Sequence, residues 1–140
     1  MGTERVAIAL GSNLGDRSAI LDRARTAIAA FPGTSVVAAS PVEETTPVGP
    51  VEQGPFLNQM LLALTTLEPR ALLDLLLTLE QKEGRVRQER WGPRTLDCDI
   101  VLFGARTVRE PDLVIPHPEL PRRDFWQREL KALDVQLPVG

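Results

Sequence analysis

Two aspartates separated by one residue interrupt an otherwise apolar segment, Leu96-Asp97-Cys98-Asp99-Ile100. Side chains alternate between the faces of a strand, so Asp97 and Asp99 are predicted to point the same way. The opposite, core-facing set is predicted to be Cys98, Ile100 and Leu102. Two carboxylates on one face repel each other, and magnesium, which takes one or two carboxylates plus substrate phosphates, would compensate them. An isolated pair of this kind also fits two solvated acids at a strand end.

A strongly basic segment directly precedes the two acids, from Gly84 to Arg94. Its guanidinium groups are those of Arg85, Arg87, Arg90 and Arg94. A guanidinium is a planar donor fork that matches phosphate oxygens. Mutual salt bridges are the structural alternative, but exposed ion pairs stabilise by only about 0–1 kcal/mol each. The arrangement favours a site for metal and polyphosphate, where positioning and charge neutralisation catalyse phosphoryl-type transfer.

Other residues suit a flat ligand. Phe56 and Asn58 share one strand face, and an aromatic plane beside an amide suits a heterocycle with donors and acceptors at its edge. Taken alone, Phe56 is more often a core residue, and Trp91 either caps the core or stacks on a ligand.

Glu80 borders the buried side of its helix and either faces a site or pairs with a nearby cation. The only histidine, His117, stands between two prolines and is, by itself, more often structural than catalytic.

Length and composition exclude several classes. With 140 residues and 43% hydrophobic side chains, the chain is predicted to be a single domain over residues 1–140. A net charge of −3, 4% aromatics and no tyrosine disfavour an RNA-binding module. No P-loop, Ser-His-Asp arrangement or zinc-type cluster is present. Without a signal-peptide pattern or a long apolar run, and with one cysteine, we expect a cytoplasmic monomer without nucleic-acid or membrane partners.

The elements that must position these residues follow the order strand, helix, strand, strand, helix, strand. Strands are predicted at Val6–Leu10, Thr34–Ala39, Phe56–Thr66 and Leu96–Phe103, with a short one at Val114–His117. Helices are predicted from Arg17 to Phe31, from Pro69 to Gly84 with Leu72, Leu75, Leu76 and Leu79 buried, and over Arg123–Leu133. Residues 40–55 are predicted to form a loop. This order is typical of an α+β, ferredoxin-like βαββαβ fold, with helices on one face of a mainly antiparallel sheet and the other face open to ligands.

The basic segment and the two acids together resemble the signature of the 6-hydroxymethyl-7,8-dihydropterin pyrophosphokinase (HPPK) family. The similarity is carried by Gly84-Arg85-Val86-Arg87 and by Arg90-Trp91-Gly92-Pro93-Arg94-Thr95-Leu96-Asp97-Cys98-Asp99-Ile100. Weaker matches follow the same order: Ala9–Asp16, Thr45–Pro50, Phe56-Leu57-Asn58, Pro116-His117-Pro118, Arg123 and Phe125.

The resemblance implies transfer of the β,γ-pyrophosphoryl group of ATP to the hydroxymethyl group of the dihydropterin in folate biosynthesis, with AMP as the other product. It implies two magnesium ions bridged by Asp97 and Asp99, and action of Arg85 and Arg94 on the triphosphate. The implied ATP-binding residues are Glu80, Arg87, Arg90, Trp91, Arg94, Ile100, His117 and Arg123. The implied pterin-binding residues are Thr45, Thr46, Val48, Phe56, Asn58, Trp91, Asp97 and Phe125.

The sequence departs from the family pattern at two places. After Phe125, where family members usually carry an apolar stretch, residues 126–133 are polar and amphipathic in a shortened, divergent tail. Glu43 stands where the family often has an aromatic residue. Three alternatives stay open: a different metal-dependent transferase, a non-catalytic ferredoxin-like module and a catalytically weakened relative. The products separate them from the implied reaction, which gives AMP: the alternatives give ADP, or ATP binding without turnover.

Overall fold

The computed structural model of the protein describes residues 2–46, 54–84 and 95–135. Its helices are α1 (Arg17–Ala29), α2 (Pro69–Lys82) and α3 (Asp124–Ala132), with a 3-10 turn at Leu120–Arg122. Its strands are β1 (Glu4–Ser12), β2 (Thr34–Ala39), β3 (Glu43–Thr45), β4 (Phe56–Thr65), β5 (Asp97–Phe103), β6 (Val108–Glu110) and β7 (Leu113–Ile115). Over these described ranges, no helix combines the length and the apolar character needed to cross a membrane.

The main sheet is antiparallel, in the order β2-β4-β1-β5, with β3 also paired to β4. β1 and β2 run in the same direction with β4 between them, and β4 and β5 flank β1. Each helix crossover therefore skips one strand, which is the split βαβ arrangement. The predicted α+β, ferredoxin-like fold is confirmed.

Strand β3 lies inside the segment that the sequence predicts as a loop, so that prediction is wrong for Glu43–Thr45. Ser40, between β2 and β3, is hydrogen-bonded to Met60 of β4. Its backbone N–H donates to the Met60 carbonyl at 2.9 Å, and its Oγ accepts from the Met60 N–H at 2.8 Å. The chain then pairs with the first residues of β4, Glu43 opposite Asn58 and Thr45 opposite Phe56. A Glu-Glu-Thr strand carries no apolar alternation, so only the neighbouring ladder specifies it.

Helices α1 and α2 pack on one face of the sheet, which we call the two-helix face. α1 contributes Ile20, Leu21, Ala24 and Ile28, and α2 contributes Leu72, Leu76 and Leu79. Leu75, predicted to join that stripe, is only partly buried. Gly84 directly follows the C-cap of α2 with φ +82°, the left-handed conformation that favours glycine at a helix end. Gly33, with φ +60°, takes the same conformation in the turn just before β2.

Helix α3 packs on the opposite face, which we call the α3 face. Trp126 and Leu130 are 2% and 0% exposed there and lie against Ala7, Ala9, Met60, Val101 and Leu102. The face that the sequence analysis leaves open is therefore covered over part of its area. Among the described residues, the cluster that α3 joins includes Val101 and Leu102 but no residue from the start of β5, and we call that end of the face the uncovered end.

A β-bulge in β5 corrects one prediction about side-chain direction. Ile8 pairs with Ile100, but Ala7 pairs with Leu102, so Val101 is the extra residue. Cys98 and Ile100 face the two-helix core as predicted, whereas Leu102 packs on the α3 face. A bulge interrupts the alternation, so the prediction that Leu102 shares the face of Cys98 is wrong.

Candidate active site

The two aspartates lie at the start of β5 and point to the α3 face. Asp97 and Asp99 are partly buried, while Cys98 between them and Ile100 after them are buried on the other side. The shared direction of the two carboxylates is confirmed. Because Asp99 pairs with Ala9 and Asp97 with Gly11, both acids border the part of the sheet that α3 leaves uncovered.

A row of cross-strand neighbours runs from Asp97 through Gly11 and Asn58 to Glu43. Adjacent strands lie about 4.8 Å apart, so the Asp97 and Asn58 backbones are roughly 10 Å apart with a glycine between them. A Cβ placed on Gly11 would lie 3.2 Å from Asn58 Oδ1 and 3.6 Å from Phe56 Cδ1. Because Gly11 has no side chain, the surface between the Asp97 carboxylate and the Asn58 amide stays clear. We call this surface the Gly11 floor.

Asn58 and Thr45 are joined on the far side of this floor. Asn58, 7% exposed, donates from Nδ2 to Thr45 Oγ1. With Nδ2 engaged, Oδ1 is directed over Gly11 as an acceptor. Phe56 lies on the same face one pair further along, as predicted, and Thr46 directly follows Thr45 at the exposed end of β3.

Glu80 lies on the other side of β5. It is 3% exposed, and its Oε2 accepts the Cys98 backbone N–H at 2.8 Å. A hydrogen bond in a buried environment of this kind is electrostatically stronger than one in water. It fixes the peptide group that joins Asp97 to Cys98, so Glu80 acts on the acids through the backbone. Ile100, also expected at the ATP site, buries its side chain in the two-helix core, which leaves its backbone as the group that can meet a ligand.

His117 approaches the acids from the segment after β7. Its backbone N–H donates to the Val101 carbonyl at 3.0 Å, and its Nε2 lies 3.5 Å from Asp99 Oδ1. Nδ1 accepts the Glu119 backbone N–H at 3.1 Å. An accepting Nδ1 assigns the proton to Nε2, the nitrogen that faces Asp99.

Trp126 of α3 joins His117 to Arg123. The His117 ring meets the Trp126 ring edge to face at 4.9 Å, and the Arg123 guanidinium carbon lies 4.4 Å from the ring centroid. Phe125 packs against the same cluster, with its ring 6.2 Å from Trp126. Sequence reasoning missed Trp126 and Gly11; a glycine inside a buried strand was the available signal for the latter.

The remaining predicted site residues lie outside the described residues. They are Val48, Arg85, Arg87, Arg90, Trp91 and Arg94. Of the basic segment, the structure describes the first residue, Gly84, which follows α2. Just before it, Glu83 accepts from Arg23 of α1 at 2.7 and 3.1 Å, and the Arg23 hydrogen bond holds the pKa of Glu83 below its usual range.

The chemistry of the acids fits a hard divalent cation. Within residues 2–46, 54–84 and 95–135, no three His, Cys, Asp or Glu side chains converge as a complete metal cage. Two carboxylates on one face are the partial set that magnesium takes when phosphate oxygens supply further ligands. The residues present therefore suit a metal ion that arrives with a polyphosphate.

Comparison with known proteins finds relatives that align with nearly the whole of this chain. The sequence model of the 7,8-dihydro-6-hydroxymethylpterin-pyrophosphokinase (HPPK) family matches residues 7–135. A 2-amino-4-hydroxy-6-hydroxymethyldihydropteridine pyrophosphokinase from Pseudomonas aeruginosa is 42% identical over 139 residues, which cover 98% of this chain and 86% of that protein. The enzyme of the same name from Bacillus subtilis is 42% identical over 130 residues, or 93% of this chain and 78% of its own length. A third, from Methylorubrum extorquens, is 39% identical over 136 residues, 97% of this chain and 86% of that protein.

The matched residues 7–135 include both aspartates, the Gly11 floor, His117 and the packed helix α3. The fold has the split βαβ order that the resemblance implies. The chain belongs to the 7,8-dihydro-6-hydroxymethylpterin-pyrophosphokinase family.

Proposed function

We propose that this protein transfers the β,γ-pyrophosphoryl group of ATP to the hydroxymethyl oxygen of 6-hydroxymethyl-7,8-dihydropterin, in folate biosynthesis. The observation that carries the proposal is the row Asp97–Gly11–Asn58 on the uncovered end of the α3 face. This row places the Asp97 carboxylate and the Asn58 amide on either side of Gly11, which has no side chain, in a chain of this family.

The pterin side is formed by Asn58, Thr45, Phe56 and Phe125. Asn58 Oδ1 accepts from an N–H at the edge of the heterocycle, while Thr45 holds its Nδ2. Phe56 and Phe125 supply aromatic surface for stacking. We include two further residues on the pterin side. Thr46 is the exposed residue that follows β3, and Val48 is included because of the resemblance to the family.

The phosphate side is formed by Asp97 and Asp99, which hold two magnesium ions in the proposal. Bound magnesium neutralises charge on the phosphates. Glu80 fixes the peptide between the acids, and His117 and Arg123 present donors to ATP from the Trp126 platform. The resemblance adds Arg85, Arg87, Arg90, Trp91 and Arg94 to this side.

In the reaction the pterin hydroxymethyl oxygen forms a bond to the β-phosphorus, and the bond from that phosphorus to the α,β-bridging oxygen breaks. AMP leaves with that oxygen, and the proton of the pterin hydroxyl group is released to solvent. The residues of this chain contribute orientation and charge stabilisation, which supply most of the catalysis in phosphoryl transfer. The proposal includes a monomeric, cytoplasmic enzyme of one domain, in keeping with its composition and single cysteine.

The test is to incubate the protein with magnesium, ATP and 6-hydroxymethyl-7,8-dihydropterin and to separate the nucleotides. Pterin-dependent AMP is expected, in equal amount to the pterin diphosphate. Formation of ADP instead would indicate a different phosphoryl transferase. ATP binding without either product would indicate a non-catalytic relative.

A further inference from the structure

Helix α3 carries a carboxyl group that the proposed reaction does not use. Glu129 is 4% exposed, and neither of its oxygens receives a hydrogen bond from the described residues. An ionised carboxylate in such a place would lose its hydration without replacement, at a large cost in free energy. The geometry therefore disfavours the charged form of Glu129.

Helix α3 reaches β3 at this point through Arg128, the neighbour of Glu129, and the Glu43 carboxyl of β3 is close enough to Glu129 to raise its pKa. Glu43 receives Arg128 Nη2 on its Oε1 at 3.3 Å. Among the described residues, Glu43 and Arg128 are the charged groups that act on Glu129. Helix α3 also contacts β4, which has no titratable side chain, and the 3-10 turn, whose Arg122 is exposed and pairs with Glu119 instead. Two carboxylates can only accept, so a hydrogen bond between them requires one proton.

Burial, followed by the hydrogen bond and charge of Glu43, raises the pKa of Glu129 to about 9, against a smaller opposing effect of Arg128. Glu129 is then the neutral acid at pH 7, with a proton that it can donate to Glu43. Arg128 binds the Glu43 carboxylate from solvent. Neighbouring residues of one helix can thus hold β3 by two different contacts.

This contact adjoins the pterin side of the site. Glu43 is the ladder partner of Asn58, and Thr45, two residues further along β3, accepts the hydrogen bond from Asn58 Nδ2. β3 has three residues and, among the described strands, pairs with the end of β4 alone. A strand this short is held weakly by its own ladder, so its contact with α3 affects how Thr45 meets Asn58.

We propose that Glu129, as the neutral acid, is a positioning residue for the pterin: it holds β3 through Glu43 so that Thr45 keeps the Asn58 amide in its binding orientation. This rests on the proposed function. Loss of the Glu129 proton would place two charges side by side, loosen β3 and weaken pterin binding while leaving the ATP side in place.

The first test measures KM for pterin and for ATP across pH 6–10 in the wild type, Glu129→Gln and Glu129→Leu. The glutamine can still donate to Glu43 but cannot ionise, so its pterin KM is expected to stay level where that of the wild type rises at alkaline pH. The leucine removes the donor, and its pterin KM is expected to be higher by about threefold to tenfold at pH 7, the loss of one hydrogen bond. KM for ATP is expected to be unchanged in all three.

Glu44→Gln is the matched control, since Glu44 lies on the same strand, faces the other way and is exposed. It is expected to keep the wild-type pH profile. Parallel pterin KM profiles for the wild type and Glu129→Gln would overturn the proposal. So would a Glu129→Leu variant that changes KM for ATP and pterin alike.

The second test does not depend on activity. The folded-state pKa of Glu129 lies above its unfolded value, so its contribution to stability is complete below about pH 4.3 and is lost as pH rises toward about 9. Between these limits the unfolding constant of the wild type, relative to Glu129→Gln, should rise by up to about tenfold per pH unit. A ratio that is constant with pH would show that Glu129 is charged when folded and would overturn the proposal. If the wild type forms no AMP, the proposed function fails, and this ratio still tests the protonated pair.

Discussion

His117 Nε2 lies 3.5 Å from Asp99 Oδ1, while His117 Nδ1 accepts the Glu119 backbone N–H. The second contact determines what the first one is, because a ring nitrogen that accepts a hydrogen bond does not carry the proton. His117 thus presents an N–H to the acid at the edge of the site. The same ring rests against Trp126, which ties the orientation of His117 to the packing of α3.

That coupling predicts that Trp126→Leu weakens ATP binding as well as the fold. The substitution removes the ring that contacts both His117 and Arg123. We expect KM for ATP to rise by about tenfold and KM for pterin to change less, together with a loss of about 2–4 kcal/mol in stability. Steady-state kinetics and denaturant unfolding measure the two effects.

Leu130→Ala provides the comparison, because Leu130 is equally buried in the same cluster and makes neither ring contact. It should lose a similar amount of stability and keep its KM for ATP. Equal changes in KM for the two variants would mean that general loosening of α3, rather than the Trp126 ring, sets ATP affinity.

The two aspartates are predicted to be essential for turnover and dispensable for folding. Asp97→Asn and Asp99→Asn keep the size of each side chain but remove the charge that suits magnesium. We expect AMP formation to fall by at least about a hundredfold in each variant, with little change in Tm. Asp74→Asn, at an exposed position of α2, should retain activity. Near-wild-type turnover in either of the first two variants would refute their role as metal ligands.

Gly11→Ala is predicted to weaken pterin binding selectively. The added methyl would lie 3.2 Å from Asn58 Oδ1, so the amide must shift from its position over the floor. We expect KM for pterin to rise several-fold, with KM for ATP and the unfolding midpoint nearly constant. Gly54→Ala is the matched control, since a Cβ there meets nothing within 4 Å. An unchanged pterin KM in Gly11→Ala would place the heterocycle elsewhere.

The parts of this site that follow from the sequence are those governed by local periodicity. Alternation in β5 predicts the shared direction of Asp97 and Asp99, and alternation in β4 predicts that of Phe56 and Asn58. The bulge at Val101 and the strand Glu43–Thr45 arise from pairing with distant strands, which no local pattern records. The resemblance supplies the roles of the basic segment.

The packing of helix α3 is a second feature that local sequence patterns do not predict. Its amphipathic pattern predicts a helix, but the pattern does not say which face of the sheet the helix covers. The sequence analysis makes no prediction for Glu129, whereas packing buries it beside Arg128, which binds Glu43. The departure at Glu43 and the polar tail of the sequence, separate features in the chain, meet at one contact in the fold.

The Arg23–Glu83 pair at the end of α2 predicts a measurable acid sensitivity. The hydrogen bond from Arg23 lowers the pKa of Glu83, so the pair adds stability above about pH 4.3 and loses it as pH falls through the lower folded-state pKa. The pair is largely exposed on the arginine side, so the effect should be a Tm difference of about 1–4 °C. Arg23→Ala should lower Tm by that amount at pH 7 and by less at pH 3, measured by thermal unfolding. Arg5→Ala, which removes an arginine without a partner of this kind among the described contacts, should give a Tm difference that does not vary with pH. If Arg23→Ala lowers Tm equally at both pH values, the stabilisation comes from packing of the Arg23 stem rather than from the charge on Glu83.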